Sequence, residues 1–200
     1  MTEKGYTSFD LRWIKGPAPE QTLIRDLNFW RTRCFDEGLI GQEASGIGFG
    51  NVSIRIVGSR RFVVSGTQTG SLRRLGAQHY VKVIDWCIDE NRVVATGPIA
   101  ASSESLSHAA VYSASPRAGA VLHVHSNALW ERLRDRVPTT PKHVQAGTTD
   151  MAREIQRLIP GAMQSGGIIV MGGHRDGLLA CGVSPTDAAE SLLSVARIRS

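Results

Sequence analysis

Two histidines separated by one residue form the pattern with the clearest chemistry in this sequence. The segment from Val121 to His125 is apolar except for His123 and His125. In a β-strand, side chains two positions apart lie on the same face, so both imidazoles could reach one metal ion. Imidazole is a common ligand of zinc and other divalent transition metals. The alternative is a pair of half-buried histidines that make ordinary hydrogen bonds.

A third histidine, His174, lies in a glycine-flanked break between two apolar runs. Such a break can present a side chain at the end of a sheet. Three histidines with an open position are typical of a catalytic zinc site, because structural zinc sites are closed by four protein ligands. Asp176 would share the face of His174 in a continuing strand and is a rival ligand, although neutral imidazole favours His174. The cysteines have no CxxC spacing, so they predict neither a zinc ribbon nor a disulfide framework.

A pair of serines followed by a glutamate precedes a predicted helix. The backbone N–H groups at a helix start favour an anion such as phosphate, and the hydroxyls of Ser102 and Ser103 add donors. The alternative is an ordinary N-cap with an acidic first turn. Glu104 then compensates the helix dipole or, beside a metal, acts as a general base. His108 is interpreted as orienting Glu104 or packing in the core, not as a metal ligand.

Helices and strands that alternate along the chain must position these residues. Apolar residues recur every three or four positions in the helical segments and every second position in several strands. The predicted helices run from about Pro19 to Gly38, Ser103 to Ala114, Ala128 to Arg134, Thr149 to Leu158 and Ser184 to Ile198. The predicted strands run from Val52 to Ile56, Arg61 to Val64, Tyr80 to Ile88, Arg92 to Ala95, Ala120 to His125, Gly167 to Met171 and Leu178 to Cys181. The order predicts one mixed α/β domain over residues 1–200.

Length and composition describe an ordinary globular chain. It has 200 residues, 42% of them hydrophobic and 20% charged, which excludes a disordered, collagen-like or coiled-coil protein. The net charge of +5 comes from scattered arginines, so we expect an anionic small molecule and no nucleic acid as partner. No apolar stretch reaches the roughly 18 residues of a membrane span, so we expect no membrane association. Cysteine usage and the N-terminal sequence predict a cytoplasmic protein.

Five short motifs occur in the order seen in the class II aldolase/adducin family, and their layout resembles its fuculose-phosphate aldolase branch. The resemblance covers about Leu23 to Ala196. It implies a three-layer α/β/α sandwich around a mostly antiparallel sheet, and a homotetramer with active sites between subunits. The motifs are Gly50-Asn51-Val52-Ser53, Val64-Ser65-Gly66-Thr67, Ser102-Ser103-Glu104, His123-Val124-His125, and a late Gly-His followed by Gly-Leu-Leu-Ala-Cys.

The resemblance also implies a function, namely that of a metal-dependent lyase of carbohydrate metabolism. The expected reaction is reversible aldol cleavage of a small ketose phosphate through a metal-stabilised enediolate, with Glu104 as acid/base and Zn²⁺ as the expected metal. The implied metal ligands are His123, His125 and His174. The implied phosphate-binding residues are Asn51, Thr67, Ser102 and Ser103.

Two departures from the family pattern concern loops of the expected site. The family's third histidine ligand is usually followed by glycine, but here Arg175 and Asp176 follow His174. The phosphate loop carries Gln68 where the aldolases carry glycine, and Thr69-Gly70 would substitute if the loop is longer.

The third departure concerns the tyrosines that the aldolases use late in the chain to protonate or orient the aldehyde half of the substrate. The tyrosines here are at positions 6, 80 and 112. We consider His143, Lys142 or Arg175 as replacements, and the sequence does not select among them. The alternatives are therefore a dehydratase of the methylthioribulose-phosphate type and a non-catalytic domain like the adducin head. A ribulose-phosphate 4-epimerase is disfavoured by Glu104, because those enzymes have aspartate after the serine pair.

Overall fold

The computed structural model describes residues 9–197, which form five α-helices and ten strands. The helices are α1 (Gln21–Asp36), α2 (Ser105–Ala114), α3 (Asn127–Leu133), α4 (Thr149–Ala162) and α5 (Pro185–Arg197). The strands are β1 (Asp10–Lys15), β2 (Gly41–Gln42), β3 (Gly48–Phe49), β4 (Asn51–Arg55), β5 (Phe62–Ser65), β6 (Tyr80–Cys87), β7 (Arg92–Gly97), β8 (Ala120–His125), β9 (Ile168–Val170) and β10 (Gly177–Gly182).

Eight of these strands form one central sheet in the order β1-β7-β6-β5-β4-β8-β10-β9, while β2 and β3 form a separate small hairpin. Within the described residues, β1 and β7 are the one parallel pair of the large sheet. All of its other neighbours are antiparallel. The predicted mostly antiparallel sheet is therefore confirmed. Strand β8 lies between β4 and β10, so the pair of histidines occupies an interior strand.

Helices cover the sheet on both faces and enclose two apolar cores. Helices α2 and α4 pack against each other and bury one core with side chains such as Val121 and Leu106. Helices α1 and α5 contact each other and close the opposite core around Leu122 and Val124. The alternation of Val121 and Leu122 between the two cores is the period-two pattern of a strand buried on both sides. This arrangement is the expected three-layer α/β/α sandwich.

The structure adds strand β1 and the small β2–β3 hairpin to the predicted elements and corrects one helix end. Strand β1 was not predicted, because most of its residues are exposed and the apolar alternation is weak. Helix α4 continues past Leu158 and through Pro160 to Ala162, although a proline there lacks the N–H that would bond the carbonyl four residues back. The predicted end of the last helix at Ile198 lies outside the described residues, as does Tyr6.

No helix in the described part of the chain is both long enough and apolar enough to cross a membrane.

Candidate metal and anion site

Three histidines converge at one end of the interior strands. His123 and His125 project from the same face of β8, and His174 comes from the tight turn between β9 and β10. The potential ligand nitrogens of all three lie within 4.8 Å of one another. The Nε2 atoms of His125 and His174 are 3.0 Å apart, so both nitrogens could bind the same metal ion.

The turn between β9 and β10 explains why His174 reaches the pair. Backbone hydrogen bonds from His174 to Met171 and from Gly177 to His174 close the turn. Gly177 stands opposite His125 in the register of β10 and β8. A Cβ atom at position 177 would lie 2.8 Å from Cδ2 of His174, so a glycine there leaves room for the imidazole ring.

The chemistry of the three imidazoles fits a divalent metal. His123 is almost fully buried, and neither of its ring nitrogens has a hydrogen-bond partner within the described residues. Buried polar groups are normally paired, so a buried ring with both nitrogens unpaired fits the role of a metal ligand. Burial lowers the pKa of His123, His125 and His174, that of His125 to about 4. Neutral imidazoles are the form that binds a metal.

Asp176, the rival third ligand, does not join this group. Its carboxylate accepts a hydrogen bond from Nδ2 of Asn127 at 2.8 Å, and its backbone is left-handed with φ of 67°. The carboxylate thus fixes the start of α3 beside the site. Of the two candidates, His174 is the residue that the structure brings to His123 and His125.

Glu104 is the buried carboxylate beside the histidines. Its Oε1 atom lies 3.8 Å from Nδ1 of His174, and its Oε2 atom accepts a hydrogen bond from the Ser107 hydroxyl at 2.7 Å. Burial raises the pKa of Glu104, while His174 and Ser107 oppose that rise. A buried carboxyl group 3.8 Å from an imidazole of the proposed metal site is placed to donate or accept a proton on a molecule bound there.

The residues predicted to bind phosphate line the same cavity as Glu104 and the three histidines. The cavity has a volume of about 540 Å³. Asn51 is opposite His123 in the β4–β8 pairing, and its Nδ2 atom donates to the Ser102 hydroxyl at 2.8 Å. The lining contains no lysine or arginine within the described residues. The donors available to an anion in this wall are therefore hydroxyls, amides and backbone N–H groups. The four predicted residues are Asn51, Thr67, Ser102 and Ser103.

The loop after β5 keeps a tight turn despite its glutamine. Gln68 is left-handed, with φ of 58°, so this residue itself takes the conformation for which glycine is favoured. Gly70 does not take a positive φ, but a Cβ atom there would clash with the backbone carbonyl of Gly41, so the substitution of Thr69-Gly70 for the family's glycine stays a prediction. Thr67 precedes the turn and lines the cavity.

Replacing Gln68 with glycine is expected to raise the free energy of unfolding by about 0.5–1 kcal/mol. The strain of about 1–2 kcal/mol in a left-handed residue exceeds the entropy that glycine adds to the unfolded chain. Chemical denaturation measures the change. The matched variant Gln78→Gly, at a position without positive φ, is expected to lower stability, and the same sign for both variants would contradict this interpretation.

A buried arginine supports the loop from behind and was missed by the sequence analysis. Arg31 on α1 is almost fully buried, and its guanidinium donates to the backbone carbonyls of Thr69, Gly70, Leu72 and Arg73. No carboxylate in the described part of the chain forms an ion pair with it. Carbonyl groups of the loop therefore face the Arg31 guanidinium on one side, and Thr67 faces the cavity on the other. The sequence feature that could have identified Arg31 as buried is its position at helical spacing among the apolar residues of α1.

Replacing Arg31 with methionine is expected to lower the free energy of unfolding by about 2–4 kcal/mol, since several buried carbonyls lose their donor. Thermal and chemical denaturation measure the loss. Arg33, on an exposed face of the same helix, provides the control: Arg33→Met should change stability by no more than about 0.5 kcal/mol. Equal losses in the two variants would show that the four carbonyl contacts contribute little.

His108 is buried as predicted, but it does not orient Glu104. Its Nε2 atom lies 2.5 Å from Oδ1 of Asn51, and its Nδ1 atom lies 2.6 Å from the Ser53 hydroxyl. The partner of Glu104 is instead Ser107. His108 therefore acts on the predicted anion site and not on the carboxylate.

The groups considered as replacements for the late tyrosine do not line the cavity. Within the described residues, His143, Lys142 and Arg175 are exposed and lie outside its wall. Tyr80 and Tyr112 are buried in the two cores. The acidic side chains that do line the cavity are Glu104 and the exposed Glu43.

Comparison with known proteins identifies the fold and the family. The structure resembles L-fuculose 1-phosphate aldolase (TM-score 0.68, 16% identity, covering 90% of this chain and 86% of the other). It also resembles YgbL, a putative aldolase/epimerase/decarboxylase from Escherichia coli (0.65, 21%, 88% and 85%), and a sugar-phosphate aldolase from Thermotoga maritima (0.61, 14%, 90% and 97%). These identities establish the fold alone.

No curated protein matches the sequence. The family model of the class II aldolase and adducin N-terminal domain matches residues 41–198. This range includes the three histidines, Glu104 and the predicted phosphate-binding residues. The chain therefore belongs to the class II aldolase/adducin family.

Proposed function

We propose that this protein is a metal-dependent lyase that catalyses reversible aldol cleavage of a small ketose phosphate. The observation that carries the proposal is the placement of His123, His125 and His174 beside Glu104 in one cavity that hydroxyl and amide side chains also line. These groups supply a cation site, a proton-transfer group and donors for an anion. A non-catalytic domain like the adducin head would not need all three together.

The proposed metal ligands are the three histidines, and Zn²⁺ is the proposed metal because it favours three neutral imidazoles with an open position. When bound, a divalent metal acts as a Lewis acid that stabilises negative charge on the substrate's carbonyl and hydroxyl oxygens. Glu104 is the proposed acid/base. In cleavage, the hydroxyl of the aldehyde half loses its proton to solvent, and the electrons of the broken carbon–carbon bond move to the substrate carbonyl to give an enediolate. Glu104 then gives a proton to the carbon that was cleaved, and in the synthetic direction it removes that proton.

The proposed phosphate-binding residues are Asn51, Thr67, Ser102 and Ser103. Side-chain donors fix the phosphate, while Arg31 behind the loop adds a positive charge without entering the cavity. Anchoring the phosphate holds the reacting carbon atoms against Glu104, which converts binding energy into orientation. We propose a cytoplasmic homotetramer as the working form, in which a neighbouring subunit completes the cavity.

A panel of ketose 1-phosphates and 5-phosphates incubated with the zinc-loaded protein tests this function. Release of dihydroxyacetone phosphate is followed with a coupled reductase, and loss of water and of carbon dioxide are followed separately in the same samples. We expect release of dihydroxyacetone phosphate from a 1-phosphate. A protein that retains metal but turns over no member of the panel would contradict a sugar-phosphate substrate.

A dehydratase acting on a substrate like methylthioribulose phosphate is the second candidate. One observation favours it: no tyrosine, lysine or arginine lines the cavity in the described part of the chain, so the chain supplies no evident acid for an aldehyde half. Dehydration uses the same metal-assisted removal of a proton next to a carbonyl. Loss of water without dihydroxyacetone phosphate would establish this alternative.

A further inference from the structure

A chain of hydrogen bonds runs through the core and ends at the cavity. Its distances are 2.8 Å from the Tyr112 hydroxyl to the Ser53 hydroxyl, 2.6 Å from that hydroxyl to Nδ1 of His108, 2.5 Å from Nε2 of His108 to Oδ1 of Asn51, and 2.8 Å from Nδ2 of Asn51 to the Ser102 hydroxyl. Asn51 and Ser102 line the cavity, whereas Tyr112, Ser53 and His108 do not.

The imidazole at the centre of the chain carries one proton. His108 is fully buried, and burial lowers its pKa to about 3, so the ring is neutral at physiological pH. A neutral imidazole donates through one nitrogen and accepts through the other. The hydrogen bonds on its two sides must therefore point the same way along the chain.

The Tyr112 hydroxyl fixes the direction of the hydrogen bonds on both sides of His108. Burial raises the pKa of Tyr112, so the hydroxyl keeps its hydrogen, and within the described residues Ser53 is its hydrogen-bond partner. A buried hydroxyl hydrogen without an acceptor is costly. Tyr112 therefore donates to Ser53, Ser53 donates to Nδ1 of His108, and Nε2–H of His108 donates to Oδ1 of Asn51.

The direction has a consequence at the cavity wall. Because Oδ1 of Asn51 faces His108, the amide nitrogen of Asn51 donates to the Ser102 hydroxyl oxygen. The Ser102 hydroxyl hydrogen and the second amide hydrogen of Asn51 are left over for a ligand. In the reverse direction, the Ser102 hydroxyl would donate to Asn51 and would not be available.

We propose that His108 is a positioning residue that fixes Asn51 and Ser102 as hydrogen-bond donors toward the cavity, so that this wall accepts an anionic oxygen and disfavours a ligand that itself donates. The proposal rests on the proposed function for the identity of the anion, a phosphate group. The direction of the chain is independent of the reaction. His108 acts through Asn51 and is not itself a catalytic residue.

The tautomer of His108 is the first test. Long-range proton–nitrogen NMR spectra of the zinc-loaded, ¹⁵N-labelled protein distinguish a ring protonated on Nε2 from one protonated on Nδ1. We expect the Nε2–H tautomer of a neutral ring at neutral pH. An Nδ1–H tautomer, or a charged ring, would overturn the proposal without any measurement of activity.

Binding of inorganic phosphate to the zinc-loaded protein, measured by calorimetry, is the second test. We expect His108→Phe to weaken phosphate binding by about tenfold, and His108→Gln, whose amide keeps a donor and an acceptor, to restore part of the affinity. Val111→Ala, also a buried change on α2, is the control for general destabilisation and should bind phosphate as the wild type does.

The two tests separate failure of the proposal from failure of the proposed function. Phosphate binding by His108→Phe as tight as by the wild type would overturn the proposal. A wild-type protein that binds no phosphate would contradict the proposed phosphate site, and the tautomer measurement would then decide the direction of the chain alone. That measurement also covers the case in which His108→Phe does not fold.

Discussion

The variant Glu104→Gln is expected to lower kcat by about 10²–10⁴-fold while metal content and KM stay close to those of the wild type. Glutamine is nearly isosteric with glutamate, and its carbonyl oxygen can still accept the hydrogen bond from Ser107. What it loses is the ability to exchange a proton. Steady-state kinetics on the substrate found in the panel, with metal analysis of the same preparation, measure the effect.

Glu43 offers a matched control for this experiment. It is the other carboxylate that lines the cavity within the described residues, but it is exposed at the hairpin of β2 and β3. Glu43→Gln removes the same charge and should change kcat by less than about threefold, because an exposed carboxylate retains an ordinary solvent environment. A Glu104→Gln enzyme with normal kcat would contradict the assignment of Glu104 as acid/base.

Replacing His123 with leucine is expected to weaken zinc binding by more than about 100-fold, since losing a direct ligand should exceed the 10–100-fold loss seen for outer-shell partners. The wild-type protein purified without chelator should contain about one divalent metal per chain, and the variant far less. Inductively coupled plasma mass spectrometry measures the content. The variant His143→Leu, at an exposed histidine outside the cavity, should retain metal like the wild type.

Removing the metal should reverse which of the two proteins, wild type or His123→Leu, is the more stable. Zinc at 1,000 times its dissociation constant stabilises the wild type by about 4 kcal/mol relative to its metal-free form, which is more than leucine gains at position 123, so the zinc-bound wild type is the more stable protein. After chelation, the buried nitrogens of His123 have no partner, at a cost of about 1–3 kcal/mol. Leucine at position 123 avoids that cost, so chelated His123→Leu should melt at or above chelated wild type. A chelator that leaves the wild-type melting temperature unchanged would argue against a metal site.

Local patterns in the sequence were sufficient to predict the parts of the fold and site that depend on neighbouring residues. The alternation around His123 predicted a strand with both histidines on one face, and β8 has the predicted bounds. The serine pair predicted the start of α2 to within two residues. Both features follow from the periodicity of a single element, which sequence records directly.

Features that join distant segments could not be predicted in the same way. Arg31 reaches a loop about 40 residues further along the chain, and its role depends on how α1 packs, so sequence spacing contains no record of it. His108 was assigned to Glu104 because helical neighbours four residues apart face each other, yet tertiary packing against β4 gave it to Asn51. Strand β1 is defined by its pairing with β7 and not by its own pattern.

Strand β1 also couples the rim of the sheet to the cavity, because Leu11 lines the cavity while its strand is hydrogen-bonded to β7 alone in the central sheet. An edge strand with a single neighbour and mostly exposed side chains is among the first elements to open by local unfolding. A ligand that contacts Leu11 binds the closed form and therefore raises the free energy of that opening. A ligand in the cavity should therefore slow the hydrogen exchange of backbone amides in β1, although this strand contributes none of the three histidines.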